Sequence, residues 1–288
     1  MAGLIVVAVD GSEPATAALD WAADDALRRR AALRIVHVRE PLAQERPFHG
    51  HGPDTPYEDH GESVLNAAAD RVWERAPGVS VTAEVLTGSV VERLRRESEA
   101  ADALVLGSRG RGGFAGLILG SVGLGLAGHS RNPVVVVRRR PRDEYHEVVV
   151  GFDGSSHSEA ALQFAFEEAR VRRARVHAVY AWQMPMFSPY GVGYGGAMND
   201  VFDNETRAAR MRLAPWREKH PDVPLVESAV CGHPIPALAE ASLVADLVVV
   251  GTRGLGDFGG ALLGSVSHGV LHRAHCPVAV VPHPADGR

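Results

Sequence analysis

The sequence predicts an α/β protein made of two tandem, open-twisted, five-stranded parallel-sheet domains, residues 1–140 and 147–288, with helices on both faces. Three observations predict it. Short β-branched apolar runs alternate with amphipathic helical stretches along the chain, the pattern of a parallel sheet joined by right-handed helical crossovers. The order of these elements restarts near residue 147. Asp10 maps onto Asp153 at an offset of 143, and Gly107 onto Gly251 and Pro133 onto Pro277 at 144. That period is longer than a solenoid unit and marks a duplicated domain. Finally, a glycine-rich loop follows the fourth strand of each half: ALVLGSRGRGGFAGLILGS ending at Ser121, and DLVVVGTRGLGDFGGALLGS ending at Ser265.

In the first half, Leu4–Val9 is an apolar run suited to a strand buried on both faces. It ends in Asp10-Gly11-Ser12, where Ser12 or Glu13 opens a helix with Pro14 in its first turn. That helix is amphipathic through Ala17, Ala18, Trp21, Ala22 and Ala26, and Arg28–Arg30 complement its C-terminal dipole. The second strand is Leu33–Val38, followed by a long polar loop to about Tyr57. A helix over Asp59–Arg75, a strand over Val79–Leu86 and a helix over Val90–Ala100 follow. The fourth strand, Ala103–Leu106, enters the glycine loop, a helix runs from Ser121 to His129, and Pro133–Val137 is the fifth strand. Arg138–Glu147 reads as a charged linker.

The second half repeats this plan. Val148–Phe152 is a strand ending in Asp153-Gly154-Ser155, with a helix to Arg173. The strand Arg175–Tyr180 leads into a Pro/Gly/Met-rich loop over Gln183–Asn199, then a helix to Lys219. Strand Leu225–Val230, helix Pro234–Ser242, strand Leu247–Val250, the second glycine loop, a helix from Ser265 and strand Pro277–Val281 complete it.

Composition narrows the function. Apolar residues at 45% and charged residues at 23% are those of a globular protein, and a net charge of −5 offers no electrostatic case for nucleic acid. No apolar run reaches the length of a membrane span, and the N-terminus has no basic leader region, so no membrane partner is expected. Cys231 and Cys276 are the only cysteines, which excludes a disulfide framework and a CxxC metal pair and suits a reducing cytoplasm.

The glycine loops carry the chemistry. Glycines allow backbone amides to approach an anion closely, and the helix that follows adds its positive N-terminal end. In both copies a glycine ends the strand, another follows three residues later, and Gly-Ser comes after nine intervening residues. Gly107, Gly110, Gly120 and Ser121 thus correspond to Gly251, Gly254, Gly264 and Ser265. The serines sit where an N-cap or first-turn hydroxyl would bond an amide or a phosphate oxygen. Arg109, Arg111 and Arg253 put cations on the loops. Ligands of such sheets sit beyond the carboxyl ends of the strands, where Asp10, the exit of Val38 and the Gly107 loop converge.

Other features read as scaffold. GVGYGG (Gly191–Gly196) matches a dinucleotide fingerprint but follows no strand, and no Walker-type loop occurs. His49, His51 and His60 lie in a polar loop with irregular spacing, and His268 and His272 read as a helix face or a partner contact, so no metal site is assigned. Arg138–Arg140 and Arg142 fall in the linker, and Cys276 reads as a small buried hydrophobe.

Strand-Asp-Gly-Ser, G-x2-G-x9-G-S after the fourth strand, and the Pro-led fifth strands NPVVVV and CPVAVV together resemble the universal stress protein family, in two tandem copies over nearly the whole chain. The glycine pattern resembles that family's ATP-binding branch, which implies one adenine nucleotide per copy, with Mg2+ as a possible companion. The resemblance implies that Asp10 and Asp153 lie beside the ribose and adenine, and that Val38 and Ala181 contact the adenine. Ala8 and Gly151, two residues before each acid, are small, as close packing to a ligand requires. For the phosphates it implies Gly107, Ser108, Arg109, Gly110, Arg111, Gly112, Gly113, Gly120, Ser121 and Val122 in the first copy. In the second it implies Gly251, Thr252, Arg253, Gly254, Leu255, Gly256, Asp257, Gly264, Ser265 and Val266. Leu255 and Asp257 replace Arg111 and Gly113, so the second site is expected to bind ATP more weakly or to lean more on a divalent cation.

The function implied is a nucleotide-dependent regulatory or stress-response protein in the cytoplasm, acting through an unidentified protein partner. The resemblance further implies that the repeats pair through their fifth strands and that chains form a homodimer. Two alternatives stand beside it: a slow ATPase or phosphotransferase, and a cAMP-binding sensor. Against an enzyme, no Lys, Glu or His lies between the loop glycines, where Asp257 is the one acid, so no catalytic residue is assigned.

Overall fold

A computed structural model of the chain describes residues 3–40, 56–110, 119–138, 143–183, 195–254 and 263–283. They form two compact units, Met1–Arg140 and Pro141–Arg288. The first unit contains β1 (Leu4–Ala8), α1 (Glu13–Arg29), β2 (Ala32–Arg39), α2 (Pro56–Arg75), β3 (Val81–Thr87), α3 (Val90–Glu99), β4 (Ala103–Gly107), α4 (Ser121–His129) and β5 (Val134–Val137). Its strands are all parallel, in the order β3-β2-β1-β4-β5. Val6 and Val7 point to opposite faces of β1, yet each is 0% exposed, so helices cover both faces of the sheet.

The second unit repeats the plan with β6 (Glu147–Gly151), α5 (Ser156–Arg172), β7 (Arg175–Trp182), α6 (Gly195–Lys219), β8 (Leu225–Cys231), α7 (Pro234–Ala241), β9 (Leu247–Gly251), α8 (Ser265–Arg273) and β10 (Val278–Val281). The parallel order is β8-β7-β6-β9-β10. The α/β class, the tandem repeat and the five-stranded parallel sheets are thus as the sequence predicts.

The element ends differ in instructive ways. β2, β7 and β8 each run one or two residues beyond their expected ends, because the neighbouring strand continues to supply ladder partners to Arg39, Trp182 and Cys231. α6 starts at Gly195, so residues 195–199, expected in a loop, are helical. Gly195 and Gly196 have poor helix propensity, which hides that start from the sequence. α2 likewise opens at Pro56 rather than Asp59, a position where a fixed φ suits the first helical turn. Of GVGYGG, residues 191–194 lie outside the described residues, as do His49 and His51, whereas His60, grouped with them in a polar loop, is in α2.

Each first turn is built the same way. Gly11 and Gly154 take φ of +79° and +81°, left-handed values that favour glycine. That turn lets Asp10 Oδ1 accept the Ser12 N–H at 3.0 Å, and Asp153 Oδ1 the Ser155 N–H at 2.9 Å. The two serines then cap α1 and α5, accepting from Ala15 N–H at 3.3 Å and Ser158 N–H at 3.2 Å. Cys276 is buried as expected, and burial pushes its thiol up to about 12.

One buried histidine gives the second unit a pH dependence. His220 stacks on Phe166 at 4.5 Å between centroids, and the Arg170 guanidinium donates to its Nδ1 at 3.0 Å. Burial, with Arg170 and Lys219 nearby, pushes the imidazole below its ordinary value, although Asp222 and Glu167 oppose the shift. The folded unit therefore favours the neutral ring. That contribution is complete above the unfolded value of about 6.5 and is lost as pH falls below it. Thermal midpoints of the protein are expected to fall between about pH 7.5 and pH 5.5 more steeply than those of a His220→Gln variant. Equal slopes for the two proteins would remove His220 as the cause.

Candidate functional site

At the carboxyl edge of the second unit the strand ends and helix starts enclose a cleft of about 530 Å³, within the range of small-molecule sites. β6 supplies Gly151 and, just past its end, Asp153; β7 supplies Ala181; the β9 loop supplies Gly251, Arg253 and Gly254. The start of α8 adds Gly264, Ser265 and Val266. These nine sequence-selected residues thus line one cavity. Thr252 does not line it and is buried: its N–H donates to Val281 O at 3.0 Å, and its carbonyl accepts from Gly264 N–H at 2.7 Å. The first bond ties the strand end to β10 and the second ties it to the start of α8. Leu255, Gly256 and Asp257 lie outside the described residues.

A side chain would be crowded at two points, against a carboxylate at one and against backbone at the other. A Cβ on Gly254 would lie 2.5 Å from Asp153 Oδ2, so the acid and the loop backbone are in contact. A Cβ on Gly251 would lie 2.7 Å from His157 O, against the start of α5. The loop then delivers α8 with a glycine N-cap. Gly264 has an extended ψ of 153° and no side-chain cap bond is made, so of the two positions expected for Ser265, N-cap or first turn, the structure places it in the first turn as the first helical residue. A glycine cap offers its carbonyl to His268 N–H at 2.9 Å but no side-chain oxygen to the first amides of the helix, where a ligand or water can bind.

The first unit repeats the geometry. A Cβ on Gly110 would lie 2.7 Å from Asp10 Oδ2, and one on Gly107 2.7 Å from Ala15 N. Ser12 Oγ donates to Arg109 O at 3.4 Å, joining the first turn to the loop. Ser108 is buried, donating its N–H to Val137 O at 2.9 Å and accepting from Gly120 N–H at 2.8 Å. Gly120 caps α4 without a side-chain bond, so Ser121 and Val122 open its first turn. Ala8 and Val38 stand at or near the ends of β1 and β2. Arg111, Gly112 and Gly113 lie outside the described residues.

The structure adds residues that sequence spacing did not single out. Phe152, Gln183, His233, Pro234 and Leu238 also line the second cleft. Gln183 and His233 reach the same cleft from neighbouring strand ends: Gly232 N–H donates to Trp182 O at 2.9 Å, extending a register in which Trp182 faces Cys231, so Gln183 falls opposite Gly232 and His233 one residue beyond. Arg212 of α6 approaches the Asp153 turn: a Cβ on Gly154 would lie 3.0 Å from its guanidinium, where Gly11 faces Val64 instead. No local motif signals these, since each depends on a pairing some 50 residues distant. Among the described residues no group of three or more His, Cys, Asp or Glu is placed to hold a metal ion, and no helix is long and apolar enough to cross a membrane.

With this geometry in hand, the comparisons with known proteins are specific. The universal stress protein family pattern matches the chain twice, over residues 1–138 and 144–282. Universal stress protein Rv1996 of Mycobacterium tuberculosis is 36% identical, covering 98% of this chain and 96% of its own. Universal stress protein Rv2005c of the same organism is also 36% identical, covering 96% of each. The crystal structure of a universal stress protein from Archaeoglobus fulgidus shares the fold, with a TM-score of 0.66 at 19% identity, covering 97% of this chain and 98% of that one.

Proposed function

Because the chain belongs to the universal stress protein family, as two tandem copies, we propose that each copy holds one adenine nucleotide, ATP with or without Mg2+, as a regulatory ligand. One observation carries this reading: in the second unit Asp153, the Gly251–Gly254 loop and the uncapped start of α8 face a single cleft of nucleotide size. The cradle is one that side chains would fill, since a Cβ at Gly254 would occupy the space beside Asp153. In this reading Asp10 and Asp153 accept from the ribose hydroxyls, and Ala8, Gly151, Val38 and Ala181 flank the sugar and base. The loop amides, Ser121 and Ser265, and the first-turn amides of α4 and α8 hold phosphate oxygens, with Arg109 and Arg253 supplying charge.

Occupancy rather than turnover is then the signal, read in the cytoplasm by a protein partner and by a homodimer of the chain. Denaturing the purified protein and identifying the released nucleotide by chromatography tests this. About two ATP per chain is the expected result. ADP alone would move the function to slow hydrolysis, and displacement of ATP by cAMP would make the protein a cyclic-nucleotide sensor. Absence of nucleotide, with no thermal stabilisation by ATP, Mg-ATP or cAMP, would overturn the reading.

The two sites are expected to be unequal. Leu255 and Asp257 stand where the first loop has Arg111 and Gly113, so the second phosphate loop carries less positive charge. Titration of variants with one working site each is expected to give weaker ATP binding, or a stronger Mg2+ requirement, at the second. Equal affinities with equal Mg2+ dependence would count against this difference.

A further inference from the structure

We propose that the two sites also differ in how they read the base, with Gln183 and His233 acting as base-selecting residues in the second unit only; this rests on the nucleotide reading above. Both side chains line the second cleft beside Asp153, Ala181 and Leu238. Both follow the Gly232 N–H to Trp182 O bond that ends the β7–β8 ladder, Gln183 opposite Gly232 in register and His233 one residue further. The first unit has the same bond, Gly88 N–H to Arg39 O at 3.0 Å, followed by Glu40 and Ser89.

The two pairs are wired differently. In the first unit Ser89 makes no side-chain cap bond to α3, and Glu40 Oε1 takes over, accepting the Val90 N–H at 3.2 Å. Its carboxylate is engaged with the helix and has no hydrogen to donate. In the second unit His233 caps α7 itself, its Nδ1 accepting the Ile235 N–H at 3.3 Å. A ring nitrogen that accepts from an amide carries no proton, so the neutral imidazole bears its hydrogen on Nε2. The cap is thereby supplied without Gln183, whose amide is exposed at the mouth of the cleft.

Gln183 and His233 therefore offer one acceptor and two kinds of N–H donor, the set that matches adenine's exocyclic amine and its ring-nitrogen acceptors. A glutamine amide pairs with adenine N6 and N7 in a two-bond arrangement that hypoxanthine cannot complete, because its O6 is an acceptor where adenine has a donor. The first unit, with its carboxylate engaged, lacks this set. ATP is thus discriminated from ITP mainly at the second site, while the first takes either base.

The experiment uses the full chain with its first site disabled by Gly110→Ala, and measures ATP and ITP dissociation constants by calorimetry. ATP is expected to bind the second site at least about tenfold more tightly than ITP. Gln183→Leu, which nearly keeps the size but removes both the acceptor for N6 and the donor for N7, is expected to abolish that preference. His233→Ser, which keeps a helix-capping oxygen, is expected to reduce it. Both residues are exposed, so the two variants can also be compared in the otherwise unaltered chain, where half of the bound nucleotide should lose its base preference. ATP binding with an unchanged ATP-to-ITP ratio in both variants would overturn this inference and leave the nucleotide reading standing. A second site that takes no nucleotide would overturn both.

Discussion

A Gly107→Ala variant is expected to lose about 1–3 kcal/mol of stability in the first unit, and Gly251→Ala the same in the second. The reason is what the added methyl meets. At residue 107 it would lie 2.7 Å from both Ala15 N and Pro14 C, and 2.8 Å from Pro14 O. At residue 251 it would lie 2.7 Å from His157 O and 2.9 Å from His157 C. These are backbone atoms in the first turn of α1 and α5, fixed by the Ser12 and Ser155 caps, so no rotamer change relieves the contact. The strand end has to move away from the helix start, and the sheet edge that carries the loop moves with it. Gly120→Ala is the matched control, since among the described residues its methyl would meet nothing nearer than 3.7 Å. Urea midpoints compared with wild type measure the effect. A Gly107→Ala protein as stable as Gly120→Ala would show that the β4–α1 approach is looser than these distances imply.

The scaffold was legible in the sequence because its signals are local and occur twice. Leu4–Val9 with Asp-Gly-Ser, and its echo at Val148–Ser155, encode strand, turn and capped helix in a dozen residues, and the positive φ of Gly11 and Gly154 explains why glycine stands there. The glycine loops were legible for the same reason. Less visible was what depends on partners distant in the chain. Gln183 follows a strand whose end is set by pairing with Cys231, so neither it nor His233 carries a signal of its own. Arg212 reaches the Asp153 turn from the middle of a 25-residue helix whose start is masked by two glycines. The sequence places the starts of α4 and α8 at Ser121 and Ser265 but leaves open whether each serine is the N-cap or lies in the first turn. Serine is the better N-cap, yet Gly120 and Gly264 hold that position and displace Ser121 and Ser265 into the first turn. That exchange leaves the first amides of α4 and α8 without a side-chain cap, which is the state an anion-binding helix requires.

Gly110→Ala is expected to cost the first site its nucleotide while leaving the fold in place, and Gly254→Ala to do so at the second site. The contrast with Gly107 lies in which atom yields. A Cβ on Gly110 would lie 2.7 Å from Asp10 Oδ2, and one on Gly254 2.5 Å from Asp153 Oδ2. Each is the terminal oxygen of a side chain, and rotating the carboxylate relieves the clash without displacing backbone. The same rotation gives up the orientation set by the Ser12 and Ser155 N–H groups, which hold Oδ1 at 3.0 and 2.9 Å. In the proposed reading, where these carboxylates bond the sugar, their loss weakens binding by about 1.5–3 kcal/mol, roughly tenfold to 150-fold. Bound ATP after purification should fall from two per chain to one in either variant and to none in the double variant, with urea midpoints near wild type. Full occupancy in the double variant would separate the carboxylates from the sugar and shift the site away from the Asp-Gly-Ser turns. Lost occupancy with a lowered midpoint would instead place Gly110 and Gly254 with Gly107, as supports of the fold rather than of the ligand.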